Sequence, residues 1–175
     1  LWHRIGLAPR GIDREIVEVL HRTNMGTDQD PEHILKQALR CALADGWGGS
    51  MLSTDISDIL FGTPGPVAAR SNLGILSEDE VNIVIHGHEP TLSEMIVVAA
   101  TEPELIKYAK SKGAKGINLV GICCTANEVL MRQGVPVVGN FLSQELALLT
   151  GAVDAMVVDV QCIMQGIMEV AKRYH

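Results

Sequence analysis

Val81-Asn82-Ile83-Val84-Ile85-His86-Gly87-His88-Glu89-Pro90 reads as a short buried strand that stops at a glycine and passes through a proline into a helix. The β-branched run from Val81 to Ile85 is too short for a helix, and the apolar stretch running on to Ala100 has helical character. The same pattern recurs downstream. Pro103 restarts a helix that ends at Gly113, and Ile117–Ile122 is the next strand, followed by Cys123-Cys124 and a helix. Thr125 and Glu128 have capping-box spacing and put that helix start at Thr125. Val135 to Val138 is a third strand, with Pro136 near its beginning. Gly139-Asn140 follows, then a helix capped by Ser143 and ended by Gly151. Val153 to Val158 is a fourth strand, leading through Asp159-Val160-Gln161-Cys162 into a last helix. Four strand-then-helix units predict an α/β fold: a Rossmann-like parallel sheet with right-handed crossovers, flanked by helices.

Upstream of Val81 the pattern is helical. Asp13 is expected to cap a helix with Ile16, Val17, Val19 and Leu20 on its apolar face. Asp30-Pro31 is a strong helix start, because proline at the first helical position gives up an N–H that has no partner there. The apolar face from Ile34 to Leu43 is expected to end at Asp45-Gly46-Trp47-Gly48-Gly49. A short helix from Thr54 to Leu60 closes at Gly62-Thr63-Pro64-Gly65-Pro66. Two parts are therefore expected, a helical segment 1–79 and a βα domain 80–175 that carries the chemistry.

Composition narrows the function. With 14 basic and 21 acidic residues the net charge is −7, a poor match for a nucleic-acid backbone. Aromatic residues at 3% leave no stacking platform for single strands. No apolar run approaches the roughly 18 residues of a membrane helix. Two of the four cysteines are adjacent, which suits a reducing cytoplasmic compartment better than a disulfide framework. The chain starts without methionine, and no capping glycine follows Ala171, so an internal piece of a longer protein is expected.

In an open parallel sheet ligands bind beyond the carboxyl ends of the strands. There the sequence offers His88, Cys124 and Cys162, after the first, second and fourth strands. Imidazole and thiolate are the donors that soft and borderline metals prefer. A single cysteine is more often core than ligand, and a single histidine more often a hydrogen-bonded structural residue; here the coincidence on one edge carries the argument. Strand alternation would send Cys123 and Cys124 to opposite sides, so one of the two is expected at the site. A helix N-terminus beside Cys124 would lower its thiol pKa, which serves a nucleophile paired with histidine as well as a metal ligand. Cys41 reads as core, and His3, His21 and His33 as solvent-facing. No Gly-x-Gly-x-x-Gly follows the first strand, and Cys123-Cys124 is not Cys-x-x-Cys. An iron–sulfur cubane normally takes about four protein ligands, so the remainder would come from outside this chain.

Six stretches together resemble the catalytic subunit of the anaerobic nickel-containing carbon monoxide dehydrogenases. They are Pro9-Arg10-Gly11-Ile12-Asp13-Arg14-Glu15, His21-Arg22-Thr23-Asn24-Met25-Gly26, Asp45-Gly46-Trp47-Gly48-Gly49-Ser50, Ile85-His86-Gly87-His88-Glu89-Pro90, Gly121-Ile122-Cys123-Cys124-Thr125-Ala126-Asn127-Glu128, and Asp159-Val160-Gln161-Cys162-Ile163-Met164. The resemblance implies a Ni-4Fe-4S cluster with one pendant iron, His88 and Cys124 matching the ligands of that iron and Cys162 a ligand of the cage. It implies interconversion of carbon monoxide plus water with carbon dioxide plus two electrons, by Lewis-acid activation of water. His86 would act beside the ligands, in a supporting or proton-relay role, with His88 favoured over it as the ligand. Further 4Fe-4S clusters, the remaining thiolates and an acid–base lysine would lie in the rest of the parent subunit, which in the family pairs as a homodimer. Gln165 departs from the proline common among bacterial members. The chain by itself is expected to be inactive. Two alternatives stand beside this reading: a hydroxylamine reductase of the hybrid-cluster type, with Glu89 as a site carboxylate, and a non-catalytic assembly or regulatory module.

Overall fold

The computed structural model describes residues 1–174, which group into two compact units, Leu1–Ile56 and Ser57 onward. In the first unit, α1 (Trp2–Ile5) and α2 (Ile12–Arg22) precede α3 (Pro31–Asp45). Asp30 caps α3 as expected, accepting the N–H groups of Glu32 and His33. Gly11, in place of Asp13, is the N-cap of α2, because its φ of 152° is a backbone position that only glycine occupies easily. Gly46-Trp47-Gly48-Gly49 does not stop the chain's helical course: Gly46–Met51 form a π-helical turn. Successive glycines leave room for the wider coil.

The fold of this unit turns on Glu15, which is fully buried. Its carboxylate accepts the Arg10 backbone N–H, the Arg10 Nε and Nη2 (each 2.9 Å) and Gln37 Nε2 (2.8 Å). Gln37 Nε2 also donates to the Glu15 carbonyl, which ties α3 to α2. The Arg10 guanidinium, against the cost of burial, holds the Glu15 carboxyl down at about 2.

The second unit opens with the end of α4 (Leu52–Phe61) and contains a four-stranded sheet. Its strands are β1 (Val81–Gly87), β2 (Ile117–Ile122), β3 (Val137–Gly139) and β4 (Ala155–Val158). All pairings are parallel and the strand order is β3-β2-β1-β4. That is the order of the first four strands of a doubly wound sheet, whose direction of growth reverses between β1 and β4. The helices are α5 (Pro90–Ala100), α6 (Pro103–Ser111), α7 (Cys123–Gln133), α8 (Gln144–Leu149) and α9 (Ile167–Tyr174). Strand alternation sorts the core onto two faces. Val84, Val120, Ile122 and Val138 pack with Ala147, Leu148 and Ile167 of α8 and α9. Ile85 packs with Val97 of α5, Val129 of α7 and Val135. The expected α/β fold is therefore present, with helices on both sides of a parallel sheet.

Gly121 lets α7 lie close on β2, since a Cβ there would collide with Ala126. Arg132 near the end of α7, with a side chain only 2% exposed, pairs with Asp58 (2.6 Å), Glu94 (3.4 Å) and Glu128 (2.5 Å) and donates to the Gly62 carbonyl. Asn72 N–H donates to the Val137 carbonyl and Asn118 Nδ2 to the Ile75 carbonyl, so residues 57–79 attach to the sheet. Among the described residues no helix is long and apolar enough to cross a membrane.

The depressed Glu15 carboxyl fixes an acid response. The unfolded chain, near 4.5, binds a proton that the folded chain refuses until about pH 2. This contribution is full above pH 4.5 and is lost as pH falls toward 2. The chain's two tryptophans, Trp2 and Trp47, both lie in this unit. Urea midpoints read by their fluorescence should fall steeply through that window. Glu15→Gln should flatten the pH dependence and cost about 2–3 kcal/mol at pH 7.

Candidate metal centre

The carboxyl ends of β1, β2 and β4 meet at one rim. Gly87, the last residue of β1, forms a parallel bridge to Cys123, the first of α7. β2 runs straight into α7 with no loop between them, and Cys123 makes the turn in a left-handed conformation at φ 66°. Thr125 is therefore inside the helix, buried, with its Oγ1 directed at the Glu89 carbonyl, and the expected capping box does not form. The direct junction also removes the strand alternation that would have separated Cys123 from Cys124.

After β4 the chain makes a second left-handed excursion, at Gln161 (φ 59°) and Cys162 (φ 54°). Each such non-glycine residue costs on the order of 1–3 kcal/mol and persists only where its surroundings hold it. Asp159 provides one hold. Its carboxylate accepts the backbone N–H groups of His88 (2.7 Å), Glu89 (3.0 Å) and Val160, while its own N–H donates to the His86 carbonyl. The carboxylate occupies the space where Gly87 lacks a side chain, and a Cβ at Gly87 would overlap it. One aspartate thus fastens the loop bearing His88 to the loop bearing Cys162.

Cys162 lies near both Cys123 and Cys124, so three thiols share the rim. Burial pushes the Cys123 thiol up to about 11, with Cys162 and Cys124 adding to the shift. The Cys124 thiol is also raised, by burial first and then by Cys162, Glu128 and Asp159. Burial and neighbouring acidic groups push this thiol up, opposite in direction to the lowering expected from the helix N-terminus. All four cysteines are free, Cys124 and Cys162 are exposed residues, and Cys123 and Cys41 are half-buried. His88 is half-buried on the adjoining loop, and His3, His21 and His33 are exposed as expected.

His86 is fully buried beneath the rim, where its Nε2 meets Gln144 Oε1 at 2.9 Å. Glu89, the carboxylate of the hydroxylamine reductase alternative, caps α5 by accepting the Thr91 N–H. The residues that sequence reasoning passed over are Cys123, Asp159 and Gln144. Only Asp159 left a trace, as a carboxylate three positions before Cys162 with a glycine facing it across the sheet edge.

Among the described residues no three His, Cys, Asp or Glu side chains close on a point tightly enough to hold a single metal ion. A multinuclear cluster makes a different demand, since its ligands bind separate irons. Three neighbouring thiols with an imidazole on the next loop suit that donor set and leave it incomplete.

Fold and rim together define the class: an α/β sheet scaffold with soft donors gathered at its switch point. The chain belongs to the Prismane/CO dehydrogenase family, whose sequence pattern matches residues 1–175. It is 62% identical over 175 residues to carbon monoxide dehydrogenase 1 of Methanosarcina mazei, covering 100% of this chain and 28% of that protein. Among solved structures, the as-isolated, nickel-free carbon monoxide dehydrogenase from Thermococcus sp. AM4 superposes with a TM-score of 0.89 at 58% identity. That match covers 99% of this chain and 28% of the other. An acetyl-CoA synthase/carbon monoxide dehydrogenase, described with NiZn[Fe4S4] and NiNi[Fe4S4] clusters in its alpha subunits, gives 0.87 at 56% identity, covering 99% and 25%. The chain thus spans little more than a quarter of these relatives.

Gly87→Ala should displace the Asp159 carboxylate and release both loops. In limited proteolysis of the complete polypeptide, new cleavage is expected between residues 86 and 91 and between 158 and 164. A local destabilisation of about 2–4 kcal/mol is expected from the overlap and the φ of 136°.

Proposed function

We infer that this chain is the part of a carbon monoxide dehydrogenase catalytic subunit that supplies His88, Cys124 and Cys162 to a nickel–iron–sulfur cluster. The reaction is the interconversion of carbon monoxide plus water with carbon dioxide, two protons and two electrons. The observation that carries this reading is the meeting of the three strand ends, with Cys124 and Cys162 as near neighbours at the switch point. The chain's descent from a family that includes carbon monoxide dehydrogenases supports it. When bound, such a cluster supplies Lewis acidity toward water and carbon monoxide and a reservoir for the electrons.

The chain's own residues do the holding. Cys124 offers a sulfur donor whose raised thiol must give up its proton when metal arrives, and Cys162 offers a second sulfur beside it. His88 offers a nitrogen from a loop fixed by its own backbone N–H on Asp159. Asp159 and Glu128 bring negative charge close to Cys124, which favours a cation on the rim. His86, buried and bonded to Gln144, supports the rim from beneath, and this favours a positioning role over a surface proton relay. The ligands that complete the cluster and the electron-relay clusters would lie in the rest of the parent protein, which would act as a homodimer.

The test uses the complete polypeptide, produced anaerobically with nickel and assayed for carbon monoxide-dependent reduction of a viologen dye. His88→Ala, Cys124→Ala and Cys162→Ala should each lower activity by at least about 100-fold and reduce bound nickel or iron. Full activity in all three variants would contradict the assignment.

A further inference from the structure

Gln144, the first residue of α8, is completely buried, yet it is neither a core residue by type nor one of the donor residues. Its side-chain amide uses every hydrogen bond available to it. Nε2 donates to the Phe141 carbonyl (2.9 Å) and to the Cys162 carbonyl (3.1 Å). Oε1 accepts the Met164 N–H (2.9 Å) and faces His86 Nε2 at 2.9 Å. The two backbone carbonyls can only accept and the Met164 N–H can only donate, so the amide has a single orientation. It follows that His86 donates from Nε2, and a neutral ring then carries its lone pair on Nδ1. Among the described residues that buried Nδ1 has no hydrogen-bond partner.

The two loop contacts of Gln144 fall on and just beyond the cysteine of interest. One lands on Cys162 itself and the other two residues beyond it, on the far side of the left-handed pair Gln161-Cys162. Asp159 fastens the near side. The amide therefore adds a second hold, beside Asp159, on the loop that carries Cys162.

We propose that Gln144 is a positioning residue for Cys162, holding the cysteine's backbone in its ligating conformation before any metal arrives and anchoring it to β1 through His86. This rests on the reading of Cys162 as a cluster ligand and adds to it the device that presets the ligand.

The experiment compares Gln144→Ala and Gln144→Glu with the unaltered complete polypeptide. In the metal-free protein, alkylation of each cysteine by iodoacetamide is followed by mass spectrometry, with Cys41 of the first unit as internal reference. After anaerobic loading with iron, sulfide and nickel, metal content and the electron paramagnetic resonance signature of the cluster are recorded. In Gln144→Ala the Cys162 rate should change by about tenfold with Cys41 unchanged, and the cluster signature should shift or weaken. Gln144→Glu keeps the acceptor atom for Met164 and His86 and loses donation to Cys162; it should give an intermediate change in both readouts. If Gln144→Ala exposes Cys41 as well, the chain has lost its fold, and the isosteric Gln144→Glu decides the matter alone. An unchanged Cys162 rate together with an unchanged cluster signature would overturn the proposal, while loss of that signature in Cys162→Ala would leave the ligand reading standing. A changed Cys162 rate with an unaltered signature in both Gln144→Ala and Cys162→Ala would overturn the ligand reading instead.

Discussion

A single carboxylate occupying the gap left by a missing Cβ is the contact on which the rim depends. Asp159 reaches across from the end of β4 and takes the N–H groups that Gly87 exposes by having no side chain in the way. Without that fit, the loops after β1 and β4 would be joined only by the backbone ladder that pairs Ile83–His86 with Ala155–Val158, the Asp159 N–H on the His86 carbonyl and the Gln144 amide. With it, the sheet's switch point becomes a fixed frame for donors that are more than seventy residues apart in sequence. Charge-assisted bonds to backbone N–H groups are among the stronger ones available, and here they join two loops instead of closing a helix.

The frame holds its thiols in a demanding state. Cys123 and Cys124 are disfavoured as thiolates first by burial and then by the nearby Cys162, so donors and acidic groups crowd the metal-free rim. A cation reverses the balance at once, since the crowding that penalises anions also concentrates donors for a positive centre. The same economy governs the rest of the chain. Glu15 is kept ionised in a buried position by Arg10, and Arg132 is kept buried by three carboxylates. Polar groups in this molecule are buried where they join segments that apolar packing alone would leave loose.

Much of this was legible from the residues. β2 lies where Ile117–Ile122 predicted it, β1 extends two residues past its β-branched run, and Asp30-Pro31 starts α3. His88, Cys124 and Cys162 stood out because histidine and cysteine at strand ends are chemically conspicuous. The misreadings have physical causes. Thr125-x-x-Glu128 imitates a capping box, yet a cap needs a residue outside the helix, and a left-handed Cys123 lets α7 begin two residues earlier. Gly46-Trp47-Gly48-Gly49 resembles a stop but coils as a π turn. Gln144 could not be told from a surface residue, because its importance lies in partners brought to it by the fold.

The most direct measurement is an anaerobic crystal structure of the complete, nickel-loaded polypeptide, with anomalous scattering collected at the iron and nickel edges. The account predicts anomalous peaks within bonding distance of Cys124 Sγ, Cys162 Sγ and one ring nitrogen of His88, with Asp159 still seated against Gly87. Peaks bound elsewhere in the molecule, with this rim bare, would contradict it.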